Sequence, residues 1–171
     1  MAVVFTATGW RRGAIAWTAA IGATLGITLL LKLVFLACGH LLPGDEIRSP
    51  SGHTATAGVV YGGLLALMVQ HATGRGRWTL ACATTVAVVI GASRLALGVH
   101  TIPEVLIGGG VGICGAVALV KLAGRPPPGL RTRTIAVLAI LVLMVFHGFR
   151  MPAEAAIRHF AIHIWPLSAC R

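Results

Sequence analysis

The sequence predicts an all-α integral-membrane helical bundle of about five transmembrane helices with the N-terminus inside. Three observations lead there. Of the 171 residues, 57% are hydrophobic and 11% charged, with a mean hydropathy of +0.89, whereas a soluble domain carries about 45–50% apolar and about 25% charged residues. The apolar residues gather in runs of the length that crosses a bilayer, about 20 residues. The basic residues fall mainly on one side of those runs. A water-soluble globule is excluded, and the chain reads as one transmembrane domain over residues 1–171 with no separate soluble module.

Residues 1–8 read as an interfacial or frayed lead-in. The first run, 13–37, follows Arg11-Arg12 and is far longer than the ~7–15 residues of a signal-peptide core, so it is expected to stay in the chain. Further runs cover 54–72, 78–98, 104–123 and 134–149, and the stretches between them are rich in Gly, Pro and charge. Residues 150–171 form an outer tail in which Trp165 is a membrane-interface anchor. The 22 glycines suit close helix packing in lipid. Cys38, Cys82, Cys114 and Cys170 lack metal-ligand spacing and read as free structural thiols, with a Cys38–Cys170 disulfide the alternative.

The net charge of +10 would suggest nucleic acid in a soluble chain. In a membrane chain, Lys and Arg are retained on the cytoplasmic side. With the N-terminus inside, Arg11, Arg12, Arg75, Arg77, Lys121, Arg125, Arg131 and Arg133 are cytoplasmic, against Arg48, Arg150, Arg158 and Arg171 outside. The charge therefore reads as topology, and no nucleic-acid partner is expected. Lys121–Arg133 is a loop lying against anionic headgroups.

Ionisable groups inside or capping spans are costly and mark function. Lys32, the stretch Arg48-Ser49-Pro50-Ser51-Gly52-His53, the stretch from Ser93-Arg94 to His100, and Glu104 all fall at the outer face when the runs alternate in direction. Helix N-termini hold phosphate through unpaired N–H groups, glycine admits a close oxyanion, and an arginine fork suits two phosphate oxygens. The chemistry these residue types imply is phosphoryl transfer. Each has a plainer role as well. Thr101-Ile102-Pro103-Glu104 reads as a capping box, Ser51 or Thr54 as an N-cap, Lys32 as a snorkelling side chain, and Arg94 as an interfacial anchor.

Over residues 30–123 the chain resembles the type-2 phosphatidic acid phosphatases and their relatives the vanadium-dependent haloperoxidases. Pro50-Ser51-Gly52-His53 is similar to the family's second motif, and Ser93-Arg94, five residues, His100, three residues and Glu104 to its third, with 39 residues between the two. The third motif usually ends in Asp where Glu104 stands. In the first motif Lys32 supplies the Lys, but Gly39-His40 fall where Arg-Pro belongs, so Arg48 is the candidate for the missing charge.

The resemblance implies a metal-independent membrane lipid phosphatase with no cofactor. His100 attacks phosphorus and becomes a phosphohistidine, His53 protonates the leaving group and then activates water, and Glu104 holds the imidazole. Lys32, Arg48, Ser51, Gly52 and Arg94 bind the phosphate oxygens. The implied substrate is a lipid phosphomonoester or pyrophosphate, met at the periplasmic or exterior face of a bacterial inner (cell) membrane. The alternatives are a lipid phosphotransferase of the same fold, or a non-catalytic lipid-binding or transport protein.

Overall fold

The structure, a computed structural model, describes residues 1–38, 49–128, 130, 134–137 and 139–141. Among them every regular element is helical. Among the described residues, four helical segments are long and apolar enough to cross a membrane: Arg11–Leu36, Gly52–Thr73, Gly76–Ala96 and Ile102–Ala123. These match the first four expected runs to within about two residues at each end, the usual uncertainty of a helix boundary. Of the expected fifth run, residues 134–137 and 139–141 are helical. Its remainder, Gly39-His40, Arg48, Cys170 and the tail with Trp165 lie outside the described residues.

Helix α1 (Ala2–Ala7) differs from the expected lead-in. Phe5 is buried and meets Trp10 and Trp17 edge-on, with ring centroids at 5.0 and 5.7 Å, the geometry that aromatic quadrupoles favour. Helix α2 (Arg11–Cys38) follows. The next span is α3 (Gly52–Ala57), a π-helical turn (Gly58–Gly62) and α4 (Gly63–Thr73) in one continuous run. A 3₁₀ turn (Gly76–Trp78) leads into α5 (Thr79–Ala96), and α6 (Ile102–Ala123) completes the described spans.

Helix α6 is the centre of the bundle, in contact with α2, α3, the π turn, α4 and α5. Small residues let it take that place. An added Cβ on Gly108 would collide with the Ser51 carbonyl oxygen, and one on Gly112 would lie 2.5 Å from the Ala55 carbonyl oxygen. Backbones this close trade side-chain area for van der Waals contact, the means by which helices associate in lipid. The outward faces are apolar, with Ile15 and Leu30 on α2, Leu80, Val88 and Val89 on α5, and Leu106 on α6 exposed. Such surface suits acyl chains, not water.

The register sets which ends meet. Arg12 Nε donates to the Leu122 carbonyl at 2.7 Å, so α2 runs antiparallel to α6. Ser51 faces Gly108 and Ala55 faces Gly112, so α3 runs parallel to α6. Gly91 of α5 packs on Val105, and Ala87 on Gly109, which makes α5 antiparallel. The late part of α2, the start of α3, the end of α5 and the start of α6 therefore share one end of the bundle.

Gly108→Ala is expected to lower stability by about 1–3 kcal/mol, the usual cost of overpacking. Gly110 is the control, since a Cβ added there would meet nothing within 4 Å. Gly110→Ala is expected to be neutral or stabilising, because alanine favours helix over glycine by about 1 kcal/mol. Thermal unfolding of both variants in one detergent checks the contrast.

Candidate active site

Helix α6 begins with a capping box. Thr101 is the N-cap in extended geometry (φ −91°, ψ 165°), Pro103 lies in the first turn, and the Glu104 side chain returns to the cap, Oε2 accepting the Thr101 N–H at 3.1 Å. The same Oε2 lies 2.8 Å from His100 Nδ1. Its partner oxygen, Oε1, accepts the Ser49 N–H at 2.8 Å. Capping the helix and holding the imidazole, both open from the sequence, are thus performed by one buried carboxylate. Paired with a carboxylate that accepts, Nδ1 is the donor, and the opposite ring nitrogen, Nε2, faces away from Glu104.

The turn before α6 explains the spacing of the third motif. Helix α5 ends in a Schellman arrangement, with Gly98 N–H bonded to the Leu95 carbonyl at 2.9 Å and Val99 N–H to the Arg94 carbonyl at 3.2 Å. Gly98 takes φ +64°, a left-handed conformation that glycine adopts without a Cβ penalty. The five residues between Arg94 and His100 are consumed by this cap, which brings His100 round to the start of α6. Arg94 is partly exposed, and its Nε is buried with no hydrogen-bond partner among the described residues. A buried, unused guanidinium donor is unusual and invites an acceptor.

Lys32 approaches from α2. It is 5% exposed, and its Nζ donates to Ser49 Oγ at 3.1 Å, so it points into the bundle and does not snorkel to the headgroups. Its stem passes Gly52, where an added Cβ would stand 3.5 Å from Lys32 Cε. Gly52 and His53 open α3, Gly52 partly exposed and His53 exposed.

Ser51 takes the N-cap position that the sequence left open for it. It is fully buried, and its Oγ lies 2.9 Å from Thr54 Oγ1 while accepting the Thr54 N–H at 3.4 Å. The hydroxyl is the N-cap of α3, because a hydroxyl one residue before a helix meets the third amide beyond it. Its backbone N–H bonds to the Glu104 carbonyl at 3.0 Å, tying the start of α3 to the first turn of α6.

Lys32, Glu104 and His100 are thus linked through Ser49, with Gly52 against the lysine stem and Arg94 one capped turn from His100. Arg48, the candidate replacement for the missing charge, is outside the described residues. Sequence reasoning assigned Ser49 no part. Its position just before the Pro-Ser-Gly-His stretch was the available signal, but no periodicity marks a loop residue whose partners sit on two distant helices. Among the described residues no group of three or more His, Cys, Asp or Glu side chains is placed to hold a metal ion.

A family model described as the PAP2 superfamily matches residues 1–127. The chain is also similar to an uncharacterized 22.5 kDa protein in the cps region of Klebsiella pneumoniae, 25% identical over 157 residues that cover 88% of this chain and 75% of that protein. No solved structure matches.

Proposed function

This chain belongs to the PAP2 superfamily, and on that premise we propose that it is a membrane lipid phosphatase working through a phosphohistidine on His100. Members of the superfamily are phosphatases, so hydrolysis of phosphoric esters is the general reaction. The observation that carries the finer reading is the 2.8 Å pairing of His100 Nδ1 with a buried Glu104 carboxylate, at the end of the bundle that also holds Lys32, Gly52 and Arg94.

In the proposed reaction His100 Nε2 attacks phosphorus and forms the N–P bond as the P–O bond to the lipid breaks. His53 supplies a proton to the leaving oxygen, so the lipid departs as a neutral alcohol or, from a pyrophosphate, as the lipid monophosphate. Water then attacks the phosphohistidine, giving its proton to His53, and inorganic phosphate leaves with His100 restored. Glu104 keeps the reacting nitrogen unprotonated before attack and balances the imidazolium charge during it. Arg94, Lys32 and the amides at the start of α3 meet the equatorial oxygens, whose charge is the main electrostatic problem of phosphoryl transfer. Ser51 shapes that helix start as its N-cap and belongs with Gly52 to the phosphate-binding set.

A lipid substrate is supported by location. The candidate site lies at the end of a bundle of membrane spans whose flanks expose apolar side chains, so a phosphate whose acyl or prenyl tail stays in the bilayer reaches it without leaving the membrane. The charge asymmetry of the loops supports the periplasmic or exterior face.

The test is phosphate release by purified protein from phosphatidic acid, phosphatidylglycerol phosphate, a polyprenyl pyrophosphate and lipid A phosphate, with a chelator present. Turnover of at least one, insensitive to the chelator, is expected. Inertness toward all four would favour a non-catalytic lipid binder. Transfer of labelled phosphate to a second lipid, with none to water, would favour a phosphotransferase.

A further inference from the structure

Ser49 stands outside the residues that carry the proposed chemistry, yet they converge on it. It is 6% exposed. Its Oγ accepts from Lys32 Nζ at 3.1 Å, and its N–H donates to Glu104 Oε1 at 2.8 Å. Two residues on, the Ser51 N–H donates to the Glu104 carbonyl at 3.0 Å, so the segment is fastened to α6 at two points. Pro50 between them is fully buried, and its fixed φ removes freedom from the link.

We propose that Ser49 is a positioning residue for phosphate hydrolysis, orienting Lys32 through its hydroxyl and the His100–Glu104 pair through its amide. The role rests on the phosphatase reading above. Lysine carries its charge on a four-carbon stem with much rotamer freedom. A fixed acceptor on a clamped loop removes that freedom before substrate arrives. The carboxylate is steadied from the same peptide, because Oε2 is engaged by Thr101 and His100 and Oε1 is taken by Ser49. One loop residue thereby sets the separation between a phosphate-binding cation and the nucleophile's support, and preorganisation of this kind lowers the cost of binding the phosphate.

The two bonds predict separable effects. Ser49→Ala deletes the hydroxyl and keeps the amide, so it disturbs Lys32 and leaves Glu104 in place. In purified full-length protein, assayed on whichever lipid phosphate of the four-member panel the wild type hydrolyses fastest, Ser49→Ala is expected to raise KM about tenfold with kcat within about twofold, the scale of one hydrogen bond to a charged group. Ser49→Thr, which restores the hydroxyl, is expected to return KM to near the wild-type value. In a Lys32→Ala background the Ser49→Ala effect is expected to vanish, since the two residues act as a unit. Should Ser49→Ala fail to accumulate, Ser49→Cys, isosteric but a poor acceptor, is expected to show the same rise in KM.

An active wild type whose Ser49→Ala or Ser49→Cys variant keeps its KM, or whose Ser49→Ala effect adds in full to that of Lys32→Ala, overturns the positioning role alone. A wild type that releases phosphate from none of the four lipids overturns the phosphatase reading, and the role of Ser49 falls with it.

Discussion

His100→Ala is expected to reduce phosphate release by about a thousandfold or more, the scale seen when a nucleophile is removed and only binding and electrostatic stabilisation remain. The protein is expected to stay folded. His100 is near the bundle end with a side chain 13% exposed, and Glu104 keeps the Thr101 and Ser49 amides when the imidazole is gone. No backbone group is stranded by the change. Phosphate release and thermal unfolding measured on the same preparation separate lost chemistry from lost structure. Turnover near the wild-type rate would remove His100 from the reaction.

Glu104 is the second large effect, and here chemistry and stability fall together. Glu104→Ala leaves the buried Ser49 N–H without that acceptor, at about 1–3 kcal/mol, and removes the carboxylate arm of a capping box, at about 1 kcal/mol. A stability loss of about 2–4 kcal/mol is expected, with a loss of turnover of at least about a hundredfold because His100 no longer has its charged partner. Glu104→Asp isolates the geometry. The charge stays, but a chain one methylene shorter cannot serve Thr101, His100 and Ser49 at once. Turnover is expected to change by about three- to thirtyfold, with expression near wild type. Unchanged kinetics in Glu104→Asp would leave the residue a helix cap and nothing more.

The spans were legible because each is a predominantly apolar run of bilayer length, a signal that depends on composition and not on partners. The gathering of Lys32, Gly52, Arg94, His100 and Glu104 at one end was legible for a related reason, since alternating spans leave few choices of end. Details set by contact were not. Ser51 or Thr54 could be read as the cap of α3, and only the contact between them shows that the Ser51 hydroxyl takes that place. Lys32 could snorkel or turn inward, and the choice follows from Ser49, which sits in a loop 17 residues away in the chain. Residues 1–8 lack the length of a span, so the burial of Phe5 against Trp10 and Trp17 had no sequence signature. The π turn at Gly58–Gly62 is likewise invisible to a 3.6-residue period. It occurs where Gly58 meets Gly112 and Gly62 meets the Ala83 backbone, a packing constraint on the helix.

The central claim is that His100 carries the phosphoryl group between lipid and water. Its most direct test is rapid acid-free quenching of protein mixed with a lipid phosphate bearing ³²P, followed by proteolysis and identification of the labelled residue. The expected result is label on His100 in the wild type and no labelled protein in His100→Ala. Label on another residue, or steady release of phosphate with no labelled protein at any time, would contradict it.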